Sequence, residues 1–231
     1  MIEARGSRGA IVRAYDLYSH LYGRASARLH REAVSRALVK AAPQAGERVL
    51  EVAVGPGVVH ERLRGRVGAS GFLVGIDLSR GMLRAAQRRV PGARLARANA
   101  LELPFAGESF DLVWASYLLD LIPTAELAPL LAEFRRVLRA GGRLALVNLS
   151  RTSGANGLTR WERCYQRTPA FLVPWVFAGC RPVEAEPFVR AAGFVEVERE
   201  LVEEGLTSEI LTARKWSAGD LRRLDACPPE P

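Results

Sequence analysis

The sequence predicts an α/β fold in which a seven-stranded, mostly parallel β-sheet carries helices on both faces. From residue 49 onward, short apolar runs alternate with segments of helical period, the pattern of parallel strands joined by crossover helices. Residues 193–213 contain two further apolar runs, typical of an antiparallel hairpin at the sheet edge. Two amphipathic segments before the first strand predict an N-terminal helical cap. A chain of 231 residues can bury one large core.

Five apolar runs are predicted as the parallel strands, over residues 48–54, 72–78, 94–98, 110–116 and 143–149. Between the last two, apolar residues recur at steps of three and four over 127–138, which indicates a helix packed on the sheet. Gly141 and Gly142 are predicted to end that helix. The hairpin strands are predicted at 193–198 and 210–213.

The cap is predicted as two helices. Ile11, Tyr15, Tyr18 and Tyr22 share one helical face, and a second face is formed by Leu29, Ala33, Val34, Ala37 and Leu38. We divide the chain into a cap (1–44), a cofactor-binding core (45–150), a substrate-side insertion with a helix (151–192), the edge hairpin of the same domain (193–216) and a tail (217–231).

Composition narrows the class of protein. With 48% hydrophobic and 25% charged residues, the chain is globular rather than disordered or fibrous. A net charge of +8 permits nucleic acid, an anionic membrane or a phosphate-bearing substrate as partner. Residues 1–44 hold eight basic and three acidic side chains, a net +5. Because cationic amphipathic helices bind anionic interfaces, these helices are candidates for peripheral membrane contact.

The cysteines indicate a reducing compartment. Cys164, Cys180 and Cys227 form no CxxC pair, which argues against a disulfide framework and a zinc site, so we predict no metal. Tyr15 and Asp16 interrupt the first apolar segment too early for a signal peptide. No apolar run reaches the roughly 18 residues of a membrane span. We therefore expect a cytoplasmic protein, with peripheral contact at the inner membrane surface as a further expectation.

A glycine turn follows the first predicted strand, where residues 49–57 are Val-Leu-Glu-Val-Ala-Val-Gly-Pro-Gly. Gly55 and Gly57 allow positive φ angles and close approach of a ligand, although an ordinary strand-to-helix turn would look the same. Asp77 ends the second predicted strand, where a nucleotide-binding fold places a carboxylate for ribose hydroxyls. The two features together predict an adenosine-containing ligand.

NAD and S-adenosylmethionine both satisfy that geometry. The dinucleotide fingerprint requires glycine or alanine three residues after Gly57, and this chain has His60 there. S-adenosylmethionine has no pyrophosphate to be cradled, so His60 favours it over NAD.

Three later segments follow in order: Arg-Ala-Asn-Ala-Leu-Glu-Leu-Pro-Phe at 97–105, Glu-Ser-Phe-Asp-Leu-Val at 108–113 and Glu-Phe-Arg-Arg-Val-Leu-Arg-Ala-Gly-Gly at 133–142. With the glycine turn and Asp77, they resemble the class I S-adenosylmethionine-dependent methyltransferases. Within that family, the chain is similar to the ubiquinone and menaquinone biosynthesis type and to its phospholipid N-methyltransferase relatives. The resemblance covers residues 49–149 and implies a Rossmann-like fold with S-adenosyl-L-methionine as cofactor.

The resemblance also implies roles for particular residues. Gly55 and Gly57 would contact the methionine part of the cofactor, and Glu51 would hold its ammonium through water. Asp77 would hold the ribose, and Met82 would lie against the adenine unless it is a core residue. The other implied cofactor residues are Leu78, Asn99, Ala100, Leu101 and Ser116.

Two residues depart from the family pattern. Asn99 stands where the family usually has aspartate, although its amide oxygen can still accept a hydrogen bond. Pro56 stands where threonine is common, and proline has no N–H to donate. The departures predict a weaker adenine contact and the loss of one backbone contact.

Methyl transfer from a sulfonium requires alignment and exclusion of water, and needs a base when the acceptor is a ring carbon or a hydroxyl. The catalytic candidates are Tyr15, His20 and Tyr117, and Asp120 is a further candidate base. Imidazole titrates near neutral pH, which favours His20, although an exposed or merely hydrogen-bonded histidine is the alternative. Tyr15 resembles a tyrosine that closes the cofactor pocket in relatives. The resemblance also implies that Tyr117 would face the methyl group, unless it is a core residue.

The apolar residues 170–177 favour a small hydrophobic or lipid-like acceptor, through quinone-type C-methylation or phosphatidylethanolamine-type N-methylation. Core packing or a dimer contact would explain them equally simply. A phosphate headgroup would need cations, for which the candidates are Arg151, Arg160, Arg163 and Arg181. An RNA or other nucleic-acid methyltransferase, disfavoured because the chain has no basic face interleaved with aromatics, and a noncatalytic cofactor-binding module are the alternative functions.

Overall fold

The computed structural model describes residues 2–29, 31–151, 159–204 and 206–217, without the side chains of residues 20–29 and 204. The side chain of His20, Cys227 and nearly all of the predicted tail therefore lie outside the described residues.

The strands of this fold form one seven-stranded sheet in the order β3-β2-β1-β4-β5-β7-β6. Their bounds are β1 Arg48–Val52, β2 Phe72–Asp77, β3 Arg94–Arg97, β4 Phe110–Ser116, β5 Leu138–Leu149, β6 Phe194–Glu204 and β7 Leu206–Lys215. The first five strands pair in parallel, and β7 pairs antiparallel with both β5 and β6. The predicted mostly parallel sheet with an antiparallel edge hairpin is confirmed.

The helices are α1 Arg8–Leu29, α2 Arg31–Ala41, α3 Val58–Val67, α4 Arg80–Arg89, α5 Thr124–Val137, α6 Arg160–Arg167, α7 Val173–Val176 and α8 Glu186–Ala191. A 3₁₀ turn, Leu119–Leu121, precedes α5. The apolar stripe predicted for α5 is buried against the sheet. Ser79 is the N-cap of α4, since its hydroxyl accepts a hydrogen bond from the Met82 N–H at 3.0 Å.

The predicted glycine stop of α5 is wrong. The helix ends at Val137, and Leu138 is already extended and pairs with Phe110. Gly141 adopts φ +73° inside β5, where the register with β4 shifts between Phe110 and Leu112. The glycines therefore form a bulge that realigns β5 on β4.

The two N-terminal helices have different surroundings. Leu29, predicted in the second helix, is the last residue of α1. Ala33, Val34 and Leu38 of α2 are buried in one cluster with Trp114 of β4 and other sheet residues, so α2 covers one face of the sheet. Helix α1 packs on α4 and α7 instead. The division of the chain into domains stays a prediction.

The core lies on both faces of the sheet. One cluster combines Leu50 and Val113 with α5 and α8, and the other combines Val49 and Leu112 with α2 and α3. Because parallel strands are covered by helices on both sides, β4 is apolar and buried at almost every position. A smaller cluster joins Ile2 to Tyr165 of α6 and ties the N-terminal segment to the insertion.

Candidate functional site

A cavity of about 380 Å³ lies beyond the carboxyl ends of β1, β2 and β4. This is the edge at which open α/β sheets bind ligands. Ten residues proposed from the sequence as cofactor or catalytic residues line it: Tyr15, Glu51, Gly55, Asp77, Leu78, Met82, Asn99, Ala100, Ser116 and Tyr117. Of the described candidates, Gly57 and Leu101 lie beside this lining rather than in it.

Two residues in the cavity wall hold unusual backbone angles. Ala53, after β1, has φ +58°, and Tyr117, after β4, has φ +54°. Non-glycine residues with positive φ cost of order 1–3 kcal/mol and cluster at ligand sites. The neighbouring Gly55 also has φ +53°, and a Cβ there would meet only Ala53 O, at 4.0 Å. The turn after β1 therefore leaves open space at the cavity.

Asp77 organises the backbone at the end of β2. Its Oδ2 accepts a hydrogen bond from the Gly55 N–H at 2.9 Å, and its Oδ1 accepts one from the Ser79 N–H at 2.8 Å. Burial raises the pKa of Asp77, and these backbone donors oppose that effect. A carboxylate has about four acceptor positions, so both oxygens retain capacity for a ligand hydroxyl.

Helix α1 is fastened to this site through Asp16. The Oδ1 atom accepts hydrogen bonds from Ser79 Oγ at 2.6 Å and from the Gly81 N–H at 2.7 Å. Gly81 is required here, because a Cβ would lie 2.8 Å from the Asp16 backbone. Helix α1 therefore docks on the amino-terminal end of α4. Ser79 links the two carboxylates, since its hydroxyl donates to Asp16 and its N–H donates to Asp77.

Glu51 and His60 form a buried pair in the wall. His60 Nδ1 lies 2.8 Å from Glu51 Oε2, and both residues are at most 2% exposed. Burial raises the pKa of Glu51, while the contact with His60 opposes that effect. Sequence analysis used His60 only to distinguish S-adenosylmethionine from NAD and missed its partner. A histidine nine residues after a glutamate in a predicted buried strand was the available signal.

Gly57 is explained by helix packing. It has φ +81° and precedes α3, and a Cβ at this position would lie 3.0 Å from Ala86 Cα of α4. The second glycine of the turn therefore allows α3 and α4 to approach each other.

Comparisons with known proteins agree with this geometry. A family model described as a methyltransferase domain matches residues 49–142. Demethylmenaquinone methyltransferase of Clavibacter sepedonicus is 33% identical over 84% of this chain and 83% of its own length. This chain belongs to the class I S-adenosylmethionine-dependent methyltransferases. The recognition from sequence is confirmed, and S-adenosyl-L-methionine is the methyltransferase's cofactor.

Other relatives differ in acceptor. The Xanthomonas campestris ubiquinone/menaquinone biosynthesis C-methyltransferase is 34% identical over 61% of this chain and 56% of its own length. Nocamycin O-methyltransferase of Saccharothrix syringae is 30% identical over 89% of this chain and 80% of its own length. Phosphoethanolamine N-methyltransferase 2 of Haemonchus contortus, solved with S-adenosyl-L-methionine, is 18% identical, with a TM-score of 0.65 over 80% of this chain and 53% of that one. That last likeness concerns the fold alone.

The residues that the sequence predicted for the adenine have room for a ligand beside them. Met82 and Ala100 are buried residues of the cavity wall, and Asn99 Oδ1 accepts a hydrogen bond from the Leu101 N–H at 3.2 Å. The amide oxygen retains a second lone pair for a ligand amino group. Asn99 and Leu101 thus hold their own loop in place next to the cavity.

Of the catalytic candidates, Tyr15 and Tyr117 line the cavity. The Tyr15 hydroxyl lies 3.7 Å from Cys180 Sγ, and the Tyr117 hydroxyl lies 3.0 Å from Ser208 Oγ. Burial raises the pKa of Cys180 to about 12, so the thiol stays protonated. Ser116 Oγ accepts a hydrogen bond from the Trp114 indole N–H at 2.7 Å.

Asp120 lies behind the wall. It is fully buried, and its carboxylate faces the Leu149 N–H at 3.1 Å, which makes it a structural group rather than a base in contact with an acceptor. Within the described residues, no group of three histidine, cysteine or acidic side chains could hold a metal ion. None of the described helices is both long and apolar enough to cross a bilayer.

Proposed function

We propose that this methyltransferase acts on a small apolar acceptor and that a quinone-type ring carbon is the methylated atom. The observation that carries the proposal is the apolar wall on the α1 side of the cavity. Ile11 and Val12 of α1 face residues after β4 there: Leu118, Leu121, Ile122 and Pro123. Pockets for apolar ligands have such linings with a few polar groups among them.

The positions of the arginines bear on the alternative, a phosphate headgroup. Arg151, Arg160, Arg163 and Arg181, considered for a phosphate headgroup, do not belong to the described cavity lining. Arg181 is fully buried and donates to Ile122 O at 2.8 Å. Three other arginines, Arg8, Arg31 and Arg62, do line the cavity. Arg8 pairs with Glu126 at the same wall, and Arg62 donates a hydrogen bond to Ser35 Oγ at 2.8 Å. A phosphoethanolamine headgroup is therefore the second candidate, favoured by these arginines, and the apolar wall favours the quinone ring.

The chain itself positions the cofactor and the acceptor, encloses them and removes a proton from the acceptor. When bound, S-adenosyl-L-methionine supplies a methyl group already activated by its sulfonium. We propose that Asp77, Glu51, Asn99 and the Gly55 turn hold this cofactor at the sheet edge. Helix α1, fastened by Asp16, excludes water from the same space, and water exclusion strengthens electrostatic interactions inside.

Methylation of a ring carbon also releases one proton from that carbon. We propose that Tyr15 or Tyr117 accepts this proton, because both residues line the cavity; the hydroxyl that does so exchanges its contact with Cys180 Sγ or Ser208 Oγ for one with the acceptor. His20, whose side chain lies outside the described residues, stays a candidate for the same task.

The test is transfer of tritium from methyl-labelled S-adenosyl-L-methionine by the full chain. Separate reactions contain a reduced short-chain naphthoquinol, phosphoethanolamine, phosphatidylethanolamine vesicles and RNA. We expect label in the naphthoquinol. Label in the phosphoethanolamine, lipid or RNA fraction would replace the proposed acceptor, label on a quinol oxygen would make the enzyme an O-methyltransferase, and no transfer would favour a noncatalytic module.

The cofactor residues are tested by calorimetry with S-adenosylhomocysteine. Asp77→Ala should weaken binding by roughly 1.5–3 kcal/mol, the value of a hydrogen bond to a charged group. Gly65→Ala, in the middle of α3 with no heavy atom within 4 Å of the added Cβ, is the matched control and should bind normally. Equal affinity of Asp77→Ala and the unaltered chain would remove Asp77 from the site.

A further inference from the structure

Five large apolar side chains are exposed together around α1 and α7. Phe171 is 70% exposed, Leu17 67% and Val176 63%, and Leu172 and Trp175 are each 39% exposed. Tyr18, next to Leu17, packs edge-on against the Trp175 ring with centroids 6.1 Å apart. We call the five exposed residues, Leu17, Phe171, Leu172, Trp175 and Val176, the α1–α7 patch. Four of them fall within residues 171–176, and the Tyr18–Trp175 contact brings Leu17 of α1 to the same side. Large exposed apolar side chains grouped in this way mark an interaction site.

Exposed arginines lie on α1 and on α6, the helix that precedes residue 171 in the chain. Arg13, one helical turn before Leu17 on α1, is exposed, as are Arg160, Arg163 and Arg167 of α6. None of the four forms an ion pair with another described residue. Glu162, the one acidic residue in the sequence between 159 and 183, is 1% exposed and contacts Arg151. The charges that this surface presents are therefore all positive over 159–183.

The patch adjoins the wall of the cavity. Tyr15 and Ile11 line the cavity, while Leu17 and Tyr18 on the same helix belong to or contact the patch. Gly6, also in the lining, approaches α7 so closely that a Cβ there would lie 3.0 Å from Pro174 Cγ. Helix α1 and the segment before it thus separate the cavity from the patch by a single layer.

We propose that the α1–α7 patch docks on the surface of an anionic lipid bilayer. The apolar side chains enter the interface between headgroups and acyl chains, and the arginines meet the lipid phosphates. Tryptophan and phenylalanine next to arginine are the composition of interfacial membrane-binding surfaces. The sequence placed the membrane contact on the basic N-terminal helices. The proposed contact now consists of the α1–α7 patch together with the arginines of α1 and α6.

This inference deepens the proposed function, because an apolar acceptor dissolved in a bilayer would reach the cavity from the docked face. Charge favours a bilayer over a second copy of this chain. Two copies that met through this patch would bring their unpaired arginines together, whereas an anionic bilayer would neutralise them.

The experiment is sedimentation of the full chain with sucrose-loaded vesicles, in the absence of methyl donor and acceptor. One set is pure phosphatidylcholine, and the other contains roughly one third phosphatidylglycerol. We expect binding to the anionic set, weakened at least several-fold by high salt because the charge attraction is screened. Failure of the unaltered chain to bind either set would overturn the proposal, whatever the outcome of the methyl-transfer assay.

Matched variants locate the contact. Phe171→Ser/Val176→Ser should weaken binding roughly tenfold or more, since apolar burial drives insertion. Val39→Ser is the control, because Val39 is 69% exposed on α2, away from the patch. Equal losses in both variants would show that the patch is not the contact.

The arginines have their own control. Arg163→Gln/Arg167→Gln should weaken binding to anionic vesicles several-fold, and Arg64→Gln/Arg66→Gln on α3 removes the same two charges elsewhere. Analytical ultracentrifugation completes the test. A dimer that Phe171→Ser/Val176→Ser converts to monomer, without vesicle binding, would assign the patch to self-association and reject the membrane.

Discussion

His60 Nδ1 and Glu51 Oε2 lie 2.8 Å apart inside the wall of the cofactor cavity, and both side chains are buried. A buried acid and imidazole at this distance share one hydrogen bond whose loss leaves the other group unsatisfied. Removal of one member of a buried pair typically costs 3–5 kcal/mol, whereas replacing both by apolar groups can be nearly neutral.

We therefore predict that His60→Leu lowers the free energy of unfolding by about 3–5 kcal/mol. The double variant Glu51→Leu/His60→Leu should lose less than the sum of the two single variants. Urea unfolding of the four proteins measures this coupling. Additive losses would show that the two side chains do not depend on each other.

Asp120 gives a prediction on pH. Burial raises its pKa well above the usual carboxyl value, so the folded state binds its proton more tightly than the unfolded state. The favourable contribution is present below the unfolded pKa and is lost as the pH rises through the folded pKa. We expect Asp120→Asn to gain stability relative to the unaltered chain as the pH rises above about 4, the unfolded carboxyl pKa.

The measurement is the difference in free energy of unfolding between Asp120→Asn and the unaltered chain as the pH rises above that value. The asparagine keeps an acceptor for the Leu149 N–H. A difference that stays constant with pH would contradict the raised pKa.

Gly57 is predicted to tolerate no side chain. Gly57→Ala combines a positive φ with a Cβ 3.0 Å from Ala86 Cα, and should lower the free energy of unfolding by about 1–3 kcal/mol. Gly65→Ala, within α3, should raise it by about 0.5–1 kcal/mol, because alanine is the better helix former. Thermal unfolding followed by circular dichroism compares the two, and similar shifts in both would refute the packing explanation.

Asp16 is predicted to couple helix α1 to the cofactor site. Asp16→Ala removes the acceptor of Ser79 Oγ and the Gly81 N–H, and should cost about 1–2 kcal/mol of stability. It should also weaken S-adenosylhomocysteine binding in calorimetry, since Ser79 donates to Asp77. Asp16→Asn keeps an acceptor oxygen, so its stability and its affinity for S-adenosylhomocysteine should lie between those of the unaltered chain and Asp16→Ala.

The ionisation of Asp16 adds a pH dependence to that result. Burial opposes ionisation, but the hydrogen bonds from Ser79 and Gly81 outweigh it and hold the pKa of Asp16 below its usual value. The contact therefore contributes stability above the unfolded pKa and loses it as the pH falls through the folded pKa. The stability difference between the unaltered chain and Asp16→Ala should shrink below pH 4.

The sequence by itself determined which segments form strands and at which edge of the sheet the cavity lies. Alternating and continuous apolar runs are local properties of the chain, so they identify strands without knowledge of the fold. Because the carboxyl ends of parallel strands meet at one edge of the sheet, Gly55, Asp77 and Ser116 had to converge there. The alternating residues after Gly193 likewise fixed an antiparallel edge.

Only the tertiary structure decided which side chains meet across elements. The His60–Glu51 pair, the docking of Asp16 on α4 and the packing of α2 on the sheet depend on the relative placement of helices and strands, which no local period encodes. The end of α5 was decided in the same way, because Leu138 pairs with Phe110 and begins β5 before the chain reaches Gly141 and Gly142. Pairing between distant residues, rather than local preference, sets these features.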